Sequence, residues 1–416
     1  MKDTLEVADV FRDGEPRFLA KFGRMLRTEQ WPVLRAVMRC RTAALGGHVQ
    51  RCDGCGHQQI QYNSCRNRHC PKCQAMARAA WLEKRESELL SVPYFHVVFT
   101  LPHELAPLAL QNQRVVYGIL FQAASQTLLE IAADPKHLGA RVGCLMVLHT
   151  WGQNLMHHPH VHAIVTGGGL SPDGSRWIHS RRRKSGKSFF APVKVLSRVF
   201  RGKFIALLKE AFASEKLGFY GQLKPLDDPA AFEQLLNKAV RHDWVVYAKR
   251  PFSSPVCVLK YLARYTHRVA ISNQRLVDLS DGRVSFRYKD YTRPQQDKVM
   301  TLDTSEFMRR FLMHTLPKSF VRIRYYGFLA NRHRQQRLDH CRELLGMTPQ
   351  PSKQAADDVV PSEERDQPQQ SCPVCPVCER GKLVIVDLVN PTVPLRPRRP
   401  HMLTPREAFA KWFDTS

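Results

Sequence analysis

His158-Pro159-His160-Val161-His162 is the run on which the reading of this chain turns. In an extended segment side chains alternate between faces, so His160 and His162 point one way and Val161 the other. Two imidazoles close together on one face can hold a divalent metal. A lone histidine is most often a satisfied core residue, but that reading does not suit His158, His160 and His162 on alternating positions. Gln153, upstream on the preceding strand or turn, can add a neutral oxygen ligand. A His, His, amide donor set leaves coordination positions open, which suits Mg2+ or Mn2+ shared with phosphate oxygens.

Working outward, Tyr94–Leu101 and Gly143–Gly152 resemble His158–Thr166 in being short, rich in Val, Phe or Leu, and bounded by Pro or Gly. All three are expected as strands. Helical stretches are expected at about 104–133 and 192–216, and a hairpin over 273–300 turning at Ser280-Asp281-Gly282. Long helical and strand runs without a regular βαβ rhythm favour an α+β domain on a central antiparallel sheet flanked by helices. Gly167-Gly168-Gly169 after the third strand would let a polymer backbone approach closely, and a plain turn explains them equally well.

Pro255–Ile271 reads as a helix, on which Tyr261 and Tyr265 are spaced i, i+4 and share a face. They could offer two phenolate nucleophiles to the metal. Arg264 and Arg268 would lower the phenol pKa from its usual value of about 10. The plainer reading puts Tyr265 in an apolar stripe with Val258, Leu262 and Val269, whereas Tyr261 is harder to explain as packing. A metal with tyrosines suggests breaking a phosphodiester bond and keeping the product attached to the protein.

The charge agrees with that chemistry. Among 416 residues, 63 Lys and Arg face 37 Asp and Glu, a formal charge of +26. Such an excess repels itself unless a polyanion absorbs it, and nucleic acid is the expected partner. No run reaches ~18 uninterrupted apolar residues, and no signal-peptide layout opens the chain, so the expectation is a cytoplasmic, nucleoid-associated bacterial protein without membrane contact.

In a reducing compartment clustered cysteines are more often metal ligands than disulfides. The run Cys52-x2-Cys55-x9-Cys65-x3-His69-Cys70-x2-Cys73 holds two CxxC knuckles, and Cys52, Cys55, Cys70 and Cys73 are the expected ligands of a structural zinc. Cys65 and His69 remain for a possible second ion, and Arg66, Arg68 and Lys72 would lie on the surface facing phosphates. Residues 1–45 show helical spacing (Phe18, Leu19, Phe22, Leu26), and a helix is expected from about Cys73 to Leu90. From about Gly346 to Gln370 the composition reads as a disordered linker. The tail beyond it carries Cys372-Pro-Val-Cys375-Pro-Val-Cys378, which His340 and Cys341 could complete. Cys40, Cys144 and Cys257 read as small core residues. Arg181-Arg182-Arg183-Lys184 reads as a loop contacting phosphates or as solvated charge, and Ser185-Gly186-Lys187-Ser188 lacks the first glycine of a phosphate loop.

Together these motifs resemble the two-tyrosine rolling-circle transposases of the insertion-sequence-ninety-one family, within the HUH endonuclease superfamily. The marks are Cys65-Arg-Asn-Arg-His69-Cys70-Pro-Lys-Cys73-Gln, Thr100-Leu-Pro-His103-Glu104-Leu, His149-Thr-Trp151-Gly-Gln153-Asn-Leu, His158-Pro-His160-Val-His162, Tyr261-Leu-Ala-Arg-Tyr265 with Arg268, and Tyr326-Gly327-Phe-Leu-Ala-Asn331-Arg332. The resemblance implies a zinc-binding N-terminal region followed by an HUH nuclease domain. The expected division is an N-terminal helical region (1–45), a zinc-binding domain (46–90), the nuclease domain (91–345), and, outside the resemblance, a linker (346–371) and a cysteine-bearing basic tail (372–416). It implies His160 and His162 as metal ligands, Gln153 at the position of a third polar ligand, and Tyr261 and Tyr265 as nucleophiles. It further implies cleavage of single-stranded or hairpin-flanked DNA ends through 5′-phosphotyrosine, followed by transfer to target DNA. A replication initiator or relaxase of the same chemistry, and a zinc-stapled DNA-binding regulator without catalysis, are the competing expectations.

Overall fold

The computed structural model describes residues 4–74, 82, 88–180, 191–249, 257–258, 270–289, 297–347 and 373–392. Helices α1 (Val7–Phe22) and α2 (Gln30–Arg39) are followed by strands β1 (Gly47–Cys52) and β2 (Gln58–Tyr62). Strand β3 (Tyr94–Thr100) leads to α3 (Ala106–Gln111), α4 (Gln113–Ala133), β4 (Arg141–Trp151), β5 (His157–Leu170) and β6 (Trp177–His179). Then come α5 (Val193–Ala213), α6 (Pro229–Ala239), β7 (Val246–Lys249), β8 (Leu276–Ser280), β9 (Arg283–Lys289) and β10 (Asp297–Asp303). Helix α7 (Thr304–Met313), β11 (Ile323–Gly327), α8 (Arg334–Leu344) and β12 (Leu383–Val389) complete the described elements.

The expected α+β class is observed. The central sheet runs β11-β4-β5-β3-β7 with β6 paired to β5, and every pairing in it is antiparallel. Alternation along β5 divides its side chains cleanly. Val161, Ala163 and Val165 enter the main core with Val97 and Phe99 of β3 and Met146 and Leu148 of β4. Against that face lie α4 and α5, with Phe99 and Phe200 in ring contact at 4.9 Å. Helix α4 is apolar enough to cross a membrane by length and composition, yet 67% of its apolar window is buried in the fold. Its Val116, Leu120, Phe121 and Leu128 spend that surface in the core.

The opposite face carries His160 and His162, then Ile164. Ile164 packs with Leu145, Tyr94, Val258 and, from α8, Leu338 and Cys341. A third layer joins parts of the chain far apart in sequence: α1 packs against α7, with Phe11 meeting Phe311 edge-on at 5.1 Å. Gly14 permits this approach, because a Cβ there would come within 2.8 Å of Met308 Sδ.

Some expectations need correction. Gly167, Gly168 and Gly169 lie inside β5, not in a loop. A Cβ on Gly167 would meet the Pro93 carbonyl at 2.6 Å, and one on Gly168 would meet Trp177 Nε1 at 2.5 Å, so these glycines serve strand packing and not a bound polymer. The expected helix Cys73–Leu90 is helical where described at 73–74 and 82 but not at 88–90. The expected helix Pro255–Ile271 is helical at 257–258 but not at 270–271, and the expected linker lies almost wholly outside the described residues. The tail does not stand apart: β12 pairs with β1 from Gly47↔Val389 to Cys52↔Leu383.

Two histidines, His314 buried and His157 half-buried, make the fold acid-sensitive. His314 donates from Nε2 to the Leu155 carbonyl at 3.0 Å, and burial pushes its pKa down to about 4. Burial also pushes His157 well below the ordinary histidine value, with His314 adding to the effect. Below the unfolded value of about 6.5, the unfolded chain takes up protons that the native state refuses. This stabilisation is therefore complete above about pH 6.5 and is lost as pH falls toward 4, by up to ~1.4 kcal/mol per unit for each histidine. Denaturant unfolding at pH 7 and pH 5 should show the loss, and His314→Gln should flatten the slope; an unchanged slope in the variant would contradict it.

Candidate functional site

Strands β4 and β5 form a long hairpin, and its register sets His149 directly across from His160 and Val147 across from His162. Nitrogens of His149, His160 and His162 lie within 4.8 Å of one another. Their ring centroids are 5.4 Å (His149–His160), 4.6 Å (His149–His162) and 4.9 Å (His160–His162) apart. His149 and His162 are buried while His160 is half-buried, so the cluster has an inner and an outer side.

Hydrogen bonds fix the ring orientations. His160 Nδ1 lies 2.7 Å from the His158 carbonyl oxygen, which only accepts; the proton therefore sits on Nδ1 and Nε2 keeps its lone pair. His162 Nδ1 lies 2.9 Å from Nε2 of His96 on β3, and the two rings stack at 5.1 Å and 9°. A metal on His162 Nε2 would require Nδ1 to donate to His96, the usual outer-shell arrangement for ligating histidines. His149 stacks on Trp151 at 4.7 Å. Three neutral imidazoles on rigid strands fit a divalent cation with open positions.

The structure brings the expected pair together and adds His149. The signal for it was present only as a histidine on a strand, because pairing register cannot be read from spacing. His96 was missed for the same reason. His158 is exposed and contributes its carbonyl to orienting His160. Gln153 lies in the turn between β4 and β5, with its backbone carbonyl accepting from Arg275. Tyr261, Tyr265, Arg264, Arg268, Arg181, Arg182 and Arg183 lie outside the described residues.

The cysteines regroup. Cys52 and Cys55 do not meet Cys70 and Cys73, as the spacing had suggested. Cys70 and Cys73 cluster with Cys40 and Cys65, whereas Cys52 and Cys55 cluster with Cys375 and Cys378. Cys40 is thus corrected from core residue to cluster member, as is Cys65 from spare ligand. In the first group Cys40 and Cys65 Sγ lie 3.6 and 3.5 Å from Cys73 Sγ. Four sulfurs each about 2.3 Å from one zinc stand about 3.8 Å apart, so the spacing suits a closed tetrahedral site and far exceeds a disulfide bond of about 2.05 Å.

His69 joins neither cysteine group. It is driven well below its ordinary pKa by burial, with Arg68 and Arg322 adding to the effect, and it lines a small cavity with His314. Cys341 is buried in the α8 cluster and burial pushes its thiol up to about 12, so neither it nor His340 completes the tail knuckle. Cys144 is a core residue as expected, while Cys257 is exposed.

Arg68 turns inward, donating to the carbonyls of Phe320 at 2.7 Å and Pro317 at 2.9 Å, and Lys72 pairs with Glu6 at 2.7 Å. Both tie the cysteine-rich segment to neighbouring parts of the fold and do not face solvent as expected. Arg66 is exposed.

Two family models match the chain. One, described as "Transposase zinc-binding domain", spans residues 10–101, which include Cys40, Cys52, Cys55, Cys65, Cys70 and Cys73. The other, described as "Putative transposase", spans 143–337, which include the three clustered histidines. The chain is 53% identical over 390 residues to "Putative transposase y4qJ" of Sinorhizobium fredii, covering 92% of this chain and 96% of the relative. It is 31% identical over 334 residues to "Transposase for insertion sequence element IS801" of Pseudomonas savastanoi pv. phaseolicola, covering 79% of this chain and 77% of the relative. No solved structure matches. Zinc as a structural ion is supported jointly by the zinc-binding family model and the cysteine clusters. The chain belongs to the IS91 family of insertion-sequence transposases.

Proposed function

We propose that this transposase nicks and rejoins single-stranded or hairpin-flanked DNA at its element ends through 5′-phosphotyrosine intermediates, in a rolling-circle mode. Tyr261 and Tyr265 are the nucleophiles, and His149, His160 and His162 hold Mg2+ or Mn2+, with Gln153 as a further oxygen donor. The observation that carries this reading is the imidazole cluster, with His149 on β4 beside His160 and His162 on β5, and the last two rings oriented by hydrogen bonds. A second observation supports it: Val258, fully buried, packs with Ile164 and Leu145 on the sheet face that carries the histidines. Tyr261 follows Val258 by three positions, a reach of at most about 11 Å between their Cα atoms.

The ion, when bound, supplies Lewis-acid polarisation of the scissile phosphate. The chain does the rest. One tyrosine oxygen attacks phosphorus, the bond to the 3′ oxygen breaks, and the strand is left with a free 3′-OH while its 5′ phosphate is esterified to the phenol. The phenol gives up its proton and the departing 3′ oxygen gains one, so no net proton is consumed. Arg264 and Arg268 favour the phenolate by their positive charge. The second tyrosine cuts the other junction, and attack by a 3′-OH on the phosphotyrosine reverses the bond without ATP. His96, in direct contact with His162, is a positioning residue that holds the ligating ring in one tautomer.

Incubation of the protein with Mn2+ and labelled single-stranded element ends should give a covalent protein–DNA band on a denaturing gel. Tyr261→Phe or Tyr265→Phe should weaken it and the double variant should abolish it; persistence in the double variant would remove both tyrosines from the chemistry. Duplex binding with no cleavage would favour a regulator instead.

His149→Ala should abolish tight Mn2+ binding, while His96→Phe should weaken it about 10–100-fold with the fold unchanged. Manganese titration of each variant checks this, and full affinity in His149→Ala would exclude that residue from the ligand set.

A further inference from the structure

Cys52 and Cys55 sit at the turn between β1 and β2, and Cys375 and Cys378 precede β12. The structure places the four sulfurs together, with Cys52–Cys378 at 3.6 Å and Cys55–Cys375 at 3.7 Å. These distances match the ~3.8 Å edge of a zinc tetrathiolate. Backbone amides aim at two of the sulfurs: Gly54 and Cys55 N–H donate to Cys52 Sγ at 3.3 and 3.4 Å, and Gly381 N–H donates to Cys378 Sγ at 3.4 Å. Such donors stabilise a thiolate more than a thiol.

The two knuckles also grip each other. Asp53 N–H donates to the Lys382 carbonyl at 3.0 Å, and Lys382 N–H donates to Asp53 Oδ1 at 2.7 Å. A Cβ at Gly381 would come within 2.4 Å of Cys52 Sγ and 2.9 Å of Gly54 N, so glycine alone allows this approach. From the knuckles the ladder runs on into the β12-β1-β2 sheet.

Little else holds that sheet. Its buried cluster is Cys52, Cys375 and Leu383 with Cys378 packed against it, whereas Ile60, Val384, Ile385, Val386 and Leu388 are exposed. Three short strands without a hydrophobic core need a metal to persist.

We propose that Cys52, Cys55, Cys375 and Cys378 hold a second structural zinc, and that this ion clasps the tail segment 373–392 to the N-terminal zinc-binding domain. It is separate from the ion of Cys40, Cys65, Cys70 and Cys73. The zinc-binding family model ends at residue 101 and so supplies only half of this ligand set. The site is a zinc ribbon whose two halves lie at opposite ends of the sequence. The chain is closed into a ring by four metal–sulfur bonds, and the tail leaves when they break.

Metal analysis of the full chain should find two zinc ions. Cys375→Ser/Cys378→Ser should lose one, Cys52→Ser/Cys55→Ser should lose one, and the combined four-serine variant should still hold one. Two zinc ions in the tail variant, or none in the four-serine variant, would overturn the assignment. A second measurement avoids altering any ligand. With a protease site inserted within residues 353–368 and cut under native conditions, the tail fragment should co-elute with the body until a strong chelator is added. A fragment that separates from the zinc-loaded chain, or stays bound after zinc is stripped, would equally overturn it.

Discussion

The antiparallel register between β4 and β5 is the constraint on which the site depends. Because His149 pairs with His160, three imidazoles converge from two strands without any loop having to find its place. The same alternation that turns His160 and His162 outward sends Val161, Ala163 and Val165 into the core against α4 and α5. Core packing and ligand geometry are therefore one requirement: a slip of one residue would turn the histidines toward α4 and α5 and the valines onto the face that now carries the imidazoles. The His96–His162 and His160–His158 contacts then add the orientation that sheet register alone does not give. Positioning of this kind costs no rearrangement when a substrate arrives.

A second constraint comes from the cysteines, which bind distant parts of the chain and not merely a local loop. Cys40, beyond α2, meets the knuckle at Cys70 and Cys73, while the tail returns to β1. Arg68 reaches from the same cysteine-rich segment to the carbonyls of Pro317 and Phe320, just beyond α7. The zinc-binding region is thereby fixed against the domain that carries the histidines. Relative movement of the two would break hydrogen bonds from a half-buried guanidinium, so DNA contacts on either part are held in a defined relation.

Much of the fold was legible because its signals are local. The strands at Tyr94, Gly143 and His158 announce themselves by β-branched and aromatic content, and Ser280-Asp281-Gly282 marks its hairpin by turn chemistry. The His160/His162 pair follows from a period of two. What stayed hidden depends on partners far away in sequence. CxxC spacing says that two thiolates share an ion but not which second pair joins them, so Cys52/Cys55 was coupled to the nearer knuckle when its partner lies at Cys375/Cys378. Cys40 alone carries no motif, and His149 acquires meaning only through pairing register. Arg68 looked like a phosphate contact because charge in a sequence has no direction; its burial against three carbonyls emerges only with the fold. Strand β7 is too short, at Val246–Lys249, to rise above a loop.

The convergence of His149, His160 and His162 on one ion can be seen directly. Crystals of the full chain grown with Mn2+ should give one anomalous-scattering peak within bonding distance, about 2.2 Å, of a nitrogen from each of these three rings. A manganese peak elsewhere, with the three imidazoles free of metal, would contradict the assignment of this cluster as the reaction centre.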